Sequence, residues 1–415
     1  MTQTDGLLPH LFRTEYSKIT AVLCKLFGIE HVEIAEDIAS DTFLLASETW
    51  GIKGLPENPA AWLYTVAKNK AKDYLKRNTL FMQKIMHQLD SNELDDRELE
   101  INLSDQNITD SQLQMMFAIC HPSISAEAQI CLSLRVLCGF GINEIAAAFL
   151  TSKETINKRL FRAKEKLREE NVKIEFPSEG AIGERLETVA RTLYLLFNEG
   201  YYSHSQESTL QKEVCYEAMR LTYFLLENKK TNLPFINALM SLMCFHASRF
   251  EARTDGDGQT ILYQDQDENL WDRELISRGN YFLNTAWQGN KITKYHIEAG
   301  IASWHTKKED SAEKWEHILQ LYNQLLIIEY SPVAALNRTY ALSKANGKAE
   351  AVIEAEKLNL AGNQLYHLLL GELYMGTDDL MAVDHLQKAL QLATAKSDKT
   401  LITNKILAIS LLSKG

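Results

Sequence analysis

Apolar residues recur every third or fourth position along almost the whole of this chain. Ile34, Ile38 and Leu45 keep that spacing, and so do Trp62 and Val66. A 3.6-residue repeat gathers such residues on one side of a helix and would scatter them over both faces of a strand. Breakers are scarce, with 7 prolines and 19 glycines in 415 residues, too few for a turn-rich β fold. The expected fold class is therefore all-α. One segment departs from it. Glu251–Trp271 holds Asp255-Gly-Asp-Gly258, with Arg253 ahead and the alternating Ile261-Leu-Tyr263 behind, and predicts a short hairpin or an ordered loop insertion.

Length and charge narrow the class further. The 415 residues make two to three domains, and 45% hydrophobic with 24% charged residues excludes a disordered or fibrous chain. A net charge of −11 excludes a general polyanion binder, so any nucleic-acid contact has to sit in local basic patches. Cys24, Cys120, Cys131, Cys138, Cys215 and Cys244 form no C-x-x-C pair and no zinc-finger spacing with histidine. They read as buried thiols of a reducing compartment. Met1–Phe12 lacks the basic and apolar stretches of a secretion signal, and no apolar run approaches the roughly 20 residues of a membrane span. A cytoplasmic protein without membrane contact is expected.

Four segments follow along the chain. Residues 1–80 are helical around a loop at Gly51–Pro59, where Pro56 and Pro59 constrain the backbone. Residues 81–110 are expected to be a flexible acidic linker. From His87 to Asp110 eight carboxylates, Asp90 and Glu93 among them, oppose Arg97, and apolar periodicity fades. Helical pattern resumes over 111–172, and Pro177–Gly180 separates it from a helical extension, 181–415. In the extension Gly371, Tyr374, Ala382, Leu386 and Ala389 closely resemble a tetratricopeptide unit, with a weaker copy at Pro332–Leu358. Small residues at those positions let paired helices approach and stack.

Three stretches carry chemistry. In Gly141–Arg168, Ile142, Ile145, Ala146 and Phe149 form one short apolar face. Thr151–Lys153 breaks it, and Ile156, Leu160, Ala163 and Leu167 form a second. That is the pattern of a helix-turn-helix. Lys153, Lys158, Arg159, Arg162 and Lys166 lie off the second stripe and suit phosphates, while Thr155, Asn157 and Arg159 suit base edges in a major groove. In Ala60–Arg77, Leu63, Val66, Ala67 and Tyr74 form a buried stripe beside a basic row of Lys68, Lys72 and Lys76, with Lys70 and Arg77 adding to it. Trp62 and Tyr64 beside that row suit backbone contact with stacking on exposed bases. In Ala35–Ala46, Asp37 and Asp41 share a helix face. No histidine or third carboxylate accompanies them at ligand spacing, so a protein contact is favoured over metal binding or acid–base chemistry.

In this order the three stretches resemble a bacterial sigma factor of the extracytoplasmic-function type. AEDIASDTFLLA is similar to its polymerase-binding segment, AWLYTVAKNKAKDYLKR to its −10 recognition helix, and Gly141–Arg168 to its −35 helix-turn-helix. Cys120-His-Pro122 with SAEAQICLSLRVLCGF, LYLLFNEGYYS at Leu193–Ser203, and FEARTDGDG with QDQDENLWD resemble a subgroup with a tetratricopeptide-like extension on the same chain. The resemblance implies sigma region 2 at 1–80, region 4 at 111–172 and a regulatory domain at 181–415. It implies core RNA polymerase as partner through the β′ clamp helices and the β flap, with Asp37, Ser40 and Asp41 gripping the clamp helices. Ser40 stands where the family usually has glutamine, and Leu45 where it often has a basic residue. It also implies promoter DNA as ligand. The Ile52–Pro59 loop, Asn58 above all, would pocket a flipped −10 base. Lys68, Asn69, Lys72, Lys76 and Arg77 would follow the −10 strand, and the helix from Lys153 to Lys166 would read the −35 element.

The extension carries no catalytic or cofactor set. Asn198, Glu199 and His204 follow an apolar run, but Gly200 is expected to end a helix there, with Asn198 and Glu199 serving its hydrogen bonds. Asp255-Gly-Asp-Gly258 lacks a calcium loop's later ligand and its turn glycine, since Gln259 and Thr260 stand there. His246, Arg249, Glu251, Arg253, Asp265, Asp267 and Trp271 are candidates for a buried polar network or a contact with the sigma domains. The extension is expected to touch the sigma domains and to regulate them in cis. A stand-alone helix-turn-helix regulator with a tetratricopeptide sensor is the alternative, and it has no use for Asp37–Asp41 or the Lys68–Lys76 row. A helical enzyme lacks a nucleophile–base pair, a phosphate loop and a metal set.

Overall fold

The computed structural model describes residues 4–77, 101–201, 208–253, 261–394 and 396–412. These hold eighteen α-helices and no β-strand, as the periodicity predicts. The chain divides into two compact units, Met1–Thr231 and Asn232–Gly415.

The first unit opens with α1 (Thr4–Phe27), α2 (Val32–Lys53) and α3 (Pro59–Arg77). Glycines stop two of them. Gly28 and Gly54 take φ of 87° and 84°, and each amide donates back to the helix it ends, to Cys24 O at 2.8 Å and Trp50 O at 3.1 Å. Leu63, Ala67, Ala71 and Leu75 form the buried stripe of α3, while Val66 and Tyr74 are only half-buried, so the stripe sits slightly round the helix from its expected position.

Four helices follow: α4 (Asp105–Ile119), α5 (Ala126–Leu132, continued by a π turn, Ser133–Leu137), α6 (Ile142–Ala148) and α7 (Lys153–Glu169). Helix α4 begins before Ser111, inside the stretch expected to be flexible. Ser104 caps it by accepting from the Asn107 amide, Ile101 and Leu103 are buried just ahead, and Asp105 sits favourably in its first turn. Acidity there marks a solvated helix start rather than a linker. The rest of the acidic run, up to residue 100, lies outside the described residues.

Helices α8 (Ile182–Tyr201) and α9 (Ser208–Glu227) belong to the same unit, although they open the extension. Thr192 Oγ1 donates to Gln129 Oε1 at 2.6 Å in the core, and Arg220 donates to Leu137 O, the end of the π turn, at 2.7 Å. Gly200 does not end α8. It lies within the helix, and a Cβ there would come 2.6 Å from both Cys215 Sγ and Gln211 O, so its bareness lets α9 approach. His204 lies outside the described residues.

The second unit is a succession of helices: α10 (Pro234–Ala247), α11 (Arg273–Ala286), α12 (Lys294–Trp304), α13 (Ala312–Ile328), α14 (Pro332–Ala345), α15 (Lys348–Lys357), α16 (Gln364–Tyr374), α17 (Asp379–Leu392) and α18 (Lys396–Leu412). From α13 onward each helix packs on the next. Between α10 and α11, where a hairpin or an ordered loop is expected, the described residues take the loop form, with 3-10 turns at Phe250–Ala252, Tyr263–Asp265 and Glu268–Leu270; Asp255-Gly-Asp-Gly258 lies outside them. Lysines hold this segment. Lys314, only 2% exposed, donates to Tyr263 Oη at 2.8 Å and Lys307 O at 2.5 Å, and burial pulls its ammonium down to about 8. Arg249 lies 5.5 Å from the Tyr263 ring centroid and Trp271 is buried, whereas Asp265 and Asp267 are exposed and stand apart from the network.

Gly371 is where two helices come closest in the predicted repeat. A Cβ there would lie 2.7 Å from Leu386 Cγ and 3.4 Å from Ala382 O, with Ala382, Leu386 and Ala389 fully buried opposite. Gly371→Ala is expected to cost about 1–3 kcal/mol in urea unfolding, since the branched Leu386 has to leave its rotamer. Gly362→Ala, where nothing lies within 4 Å, is expected to leave the midpoint in place.

Candidate nucleic-acid interface

Helix α2 has two working sides. Ala35, Ile38, Ala39, Thr42, Phe43, Ala46 and Trp50 are buried, while Asp37, Ser40 and Asp41 are exposed together, with Leu44 and Leu45 continuing that face. Asp41 is not wholly unengaged. Its Oδ2 receives Lys70 Nζ from α3 at 3.3 Å, a solvated pair of small worth.

On α3, Lys68, Asn69, Lys72, Lys76 and Arg77 are exposed or half-buried, away from the Leu63–Leu75 stripe. Asn58 has a structural task. Its Oδ1 accepts from the Ala61 amide at 3.0 Å, which makes it the N-cap of α3 with Pro59 in the first helical position. The carboxamide NH2 is left for another acceptor.

Helix α7 is fixed by Ser152, which caps it by accepting from the Thr155 amide, and by buried Ile156, Leu160, Ala163 and Leu167. Thr155, Lys158, Arg159, Arg162 and Lys166 line one wall of an open groove of about 470 Å³, with Ser123 and Ser125 on the other. Lys153 and Asn157 are exposed but do not line it. Arg159 Nη1 also reaches Cys131 Sγ at 3.6 Å. All six cysteines are buried free thiols, and burial pushes Cys120 up to about 12, so none is a ready nucleophile.

Spacing along the chain gave no sign of what joins α2 to α7. Glu36, 6% exposed, accepts from Arg135 Nε at 2.8 Å and from Lys164 Nζ of α7 at 2.6 Å. Glu33 pairs with Arg168 of α7 and lies 3.6 Å from Lys164 Nζ. Arg168 Nε donates to Glu30 O at 3.0 Å. A second cluster centres on Arg13 of α1, which holds Glu144 of α6 at 2.9 Å and Glu213 of α9 at 2.6 Å. These partners are 99 to 200 residues apart in sequence, so no local pattern could find them.

Residues 11–80 match the Sigma-70 region 2 family, residues 120–167 match Sigma-70, region 4, and residues 185–287 match a family of unknown function, DUF6596. An uncharacterized protein of Rhizobium meliloti (strain 1021) is 34% identical over 348 residues, covering 83% of this chain and 82% of the relative. No solved structure is a significant match. The chain belongs to the sigma-70 family, as a factor of the extracytoplasmic-function type with a C-terminal extension. It is a sigma factor for promoter-specific transcription, one of a class of non-enzymatic, DNA-binding initiation factors. No helix among the described residues is long and apolar enough to cross a membrane.

Capping by Asn58 is tested by mutation. Asn58→Ala is expected to lower stability by about 1 kcal/mol in urea unfolding, as loss of an N-cap does, and Asn58→Asp to retain it because the acceptor survives.

Proposed function

We propose that the chain docks on the β′ clamp helices of core RNA polymerase through Asp37, Ser40 and Asp41, with region 4 meeting the β flap. In this reading Asn58, Lys68, Asn69, Lys72, Lys76 and Arg77 serve the −10 element. Lys153, Thr155, Asn157, Lys158, Arg159, Arg162 and Lys166 serve the −35 element. The observation that carries it is the exposure of Asp37, Ser40 and Asp41 on one face of α2, next to a basic face on α3 in the same three-helix module. A repressor or activator acting on DNA by itself has no use for that pairing.

The extension, read as tetratricopeptide-like after α12, controls the sigma regions in cis. Support comes from Arg13, where one guanidinium of region 2 holds region 4 through Glu144 and the extension through Glu213. Glu199 of α8 adds to it: burial raises its carboxyl, and the nearby Arg159 of the −35 helix opposes that shift. Covalent linkage keeps such contacts at high effective concentration.

Run-off transcription with purified core polymerase tests both parts. Asp37→Arg with Asp41→Arg is expected to weaken core binding at least about tenfold, as reversal of interfacial charge does. Cutting after Thr231, which leaves the first compact unit whole, is expected to change initiation relative to the full chain. Unchanged promoter-directed transcription by residues 1–231 would contradict control by residues 232–415, and normal core binding by the charge-reversed chain would contradict the docking face.

A further inference from the structure

Glu33 and Glu36 belong to neither the polymerase face nor the DNA faces, yet they hold two cations of the helix assigned to the −35 element. We propose that this pair is a docking site for α7 that takes the place of two backbone phosphates, so that α2 and duplex DNA compete for one flank of the reading helix. The inference rests on α7 being the DNA-reading element.

The geometry of α7 supports it. Its buried stripe, Ile156, Leu160, Ala163 and Leu167, leaves two flanks. One carries Arg159, Arg162 and Lys166 in the open groove. The other carries Lys164 and Arg168, four residues and about one helical turn apart. A helix lying in a major groove has a phosphate wall on each side, and cations on both flanks suit it. Only the second flank is engaged by region 2, where Glu33 and Glu36, three residues apart on α2, match the spacing of the two cations.

Electrostatics let the site open and close. Glu36 is buried, and a buried carboxylate left alone would be costly. Its two cations, Arg135 at 2.8 Å and Lys164 at 2.6 Å, both belong to region 4 and leave together, and the departure of that region uncovers Glu36 to water. Glu33, with a side chain 47% exposed, returns to water. Lys164 and Arg168 would then meet phosphate oxygens, which accept the same charge-assisted hydrogen bonds as carboxylates.

The test measures binding of the full chain, without polymerase, to a labelled duplex of no promoter sequence across a range of salt. Glu33→Gln/Glu36→Gln is compared with Glu179→Gln/Glu227→Gln, which removes the same charge at exposed positions. The account predicts about tenfold tighter binding by the first pair than by the second. It also predicts a log–log salt dependence steeper by roughly 1.8, the value for two more phosphate contacts, and loss of the gain on adding Arg162→Ala. Glu33→Gln alone, at an exposed site that the fold tolerates, is expected to give a smaller rise in the same direction. Equal binding by the two pairs, or a gain indifferent to Arg162→Ala, would overturn the docking site. Crosslinking from position 158 to the −35 region in the holoenzyme separates the two levels. Crosslinks without any effect of the glutamines refute the dock alone, and their absence refutes the reading beneath it.

Discussion

A buried carboxylate governs how the sigma regions meet. Glu36 lies inside the first compact unit with Arg135 and Lys164 on its two oxygens, and a charge in that position persists only if it is paired. Satisfying it draws together α2, the π turn of region 4 and α7. The apolar stripe of α7 is spent inside region 4, so α7 meets α2 through polar groups. Ion pairs of this kind exchange partners readily, where a dry apolar interface would not. In the proposed reading the −10 and −35 elements, about 25 base pairs or roughly 85 Å of duplex apart at 3.4 Å per pair, are reached together only when that contact is released.

The fold class was legible in the sequence because helical periodicity is local, although the α3 stripe runs through Ala71 and Leu75 rather than Val66 and Tyr74. The errors share one cause. Acidity at Asp105 and Asp110 suggests a linker, whereas buried Ile101, Leu103 and Ile108 beside them anchor α4. Gly200 looks like a helix terminator in isolation, and only the approach of Cys215 and Gln211 explains it as a contact point. Gly371 offered the better signal because the small Ala382 and Ala389 on the facing helix repeat its smallness. The candidate site was legible to the same depth. Exposed faces on α2, α3 and α7 follow from periodicity, but the Glu36 and Arg13 clusters join residues too distant for any pattern, and Asn58's capping role required knowing where α3 starts.

The extension is bound into this arrangement more closely than a tethered regulator would be. Its first two helices, α8 and α9, pack within the sigma unit. Arg220 closes the carbonyl at the end of the π turn, and Thr192 answers the buried Gln129. A buried glutamine or helix-end carbonyl without a partner is destabilising, so region 4 is shaped around these residues.

Separation of α7 from α2 is tested most directly by the distance between them. Spin labels at Ser47 on α2 and Asn157 on α7, both exposed, report it in the free chain and in the promoter-bound holoenzyme. A short, narrow distance in the free chain that lengthens by tens of ångströms on the promoter is the predicted result. An unchanged short distance in a complex that initiates transcription would contradict the account.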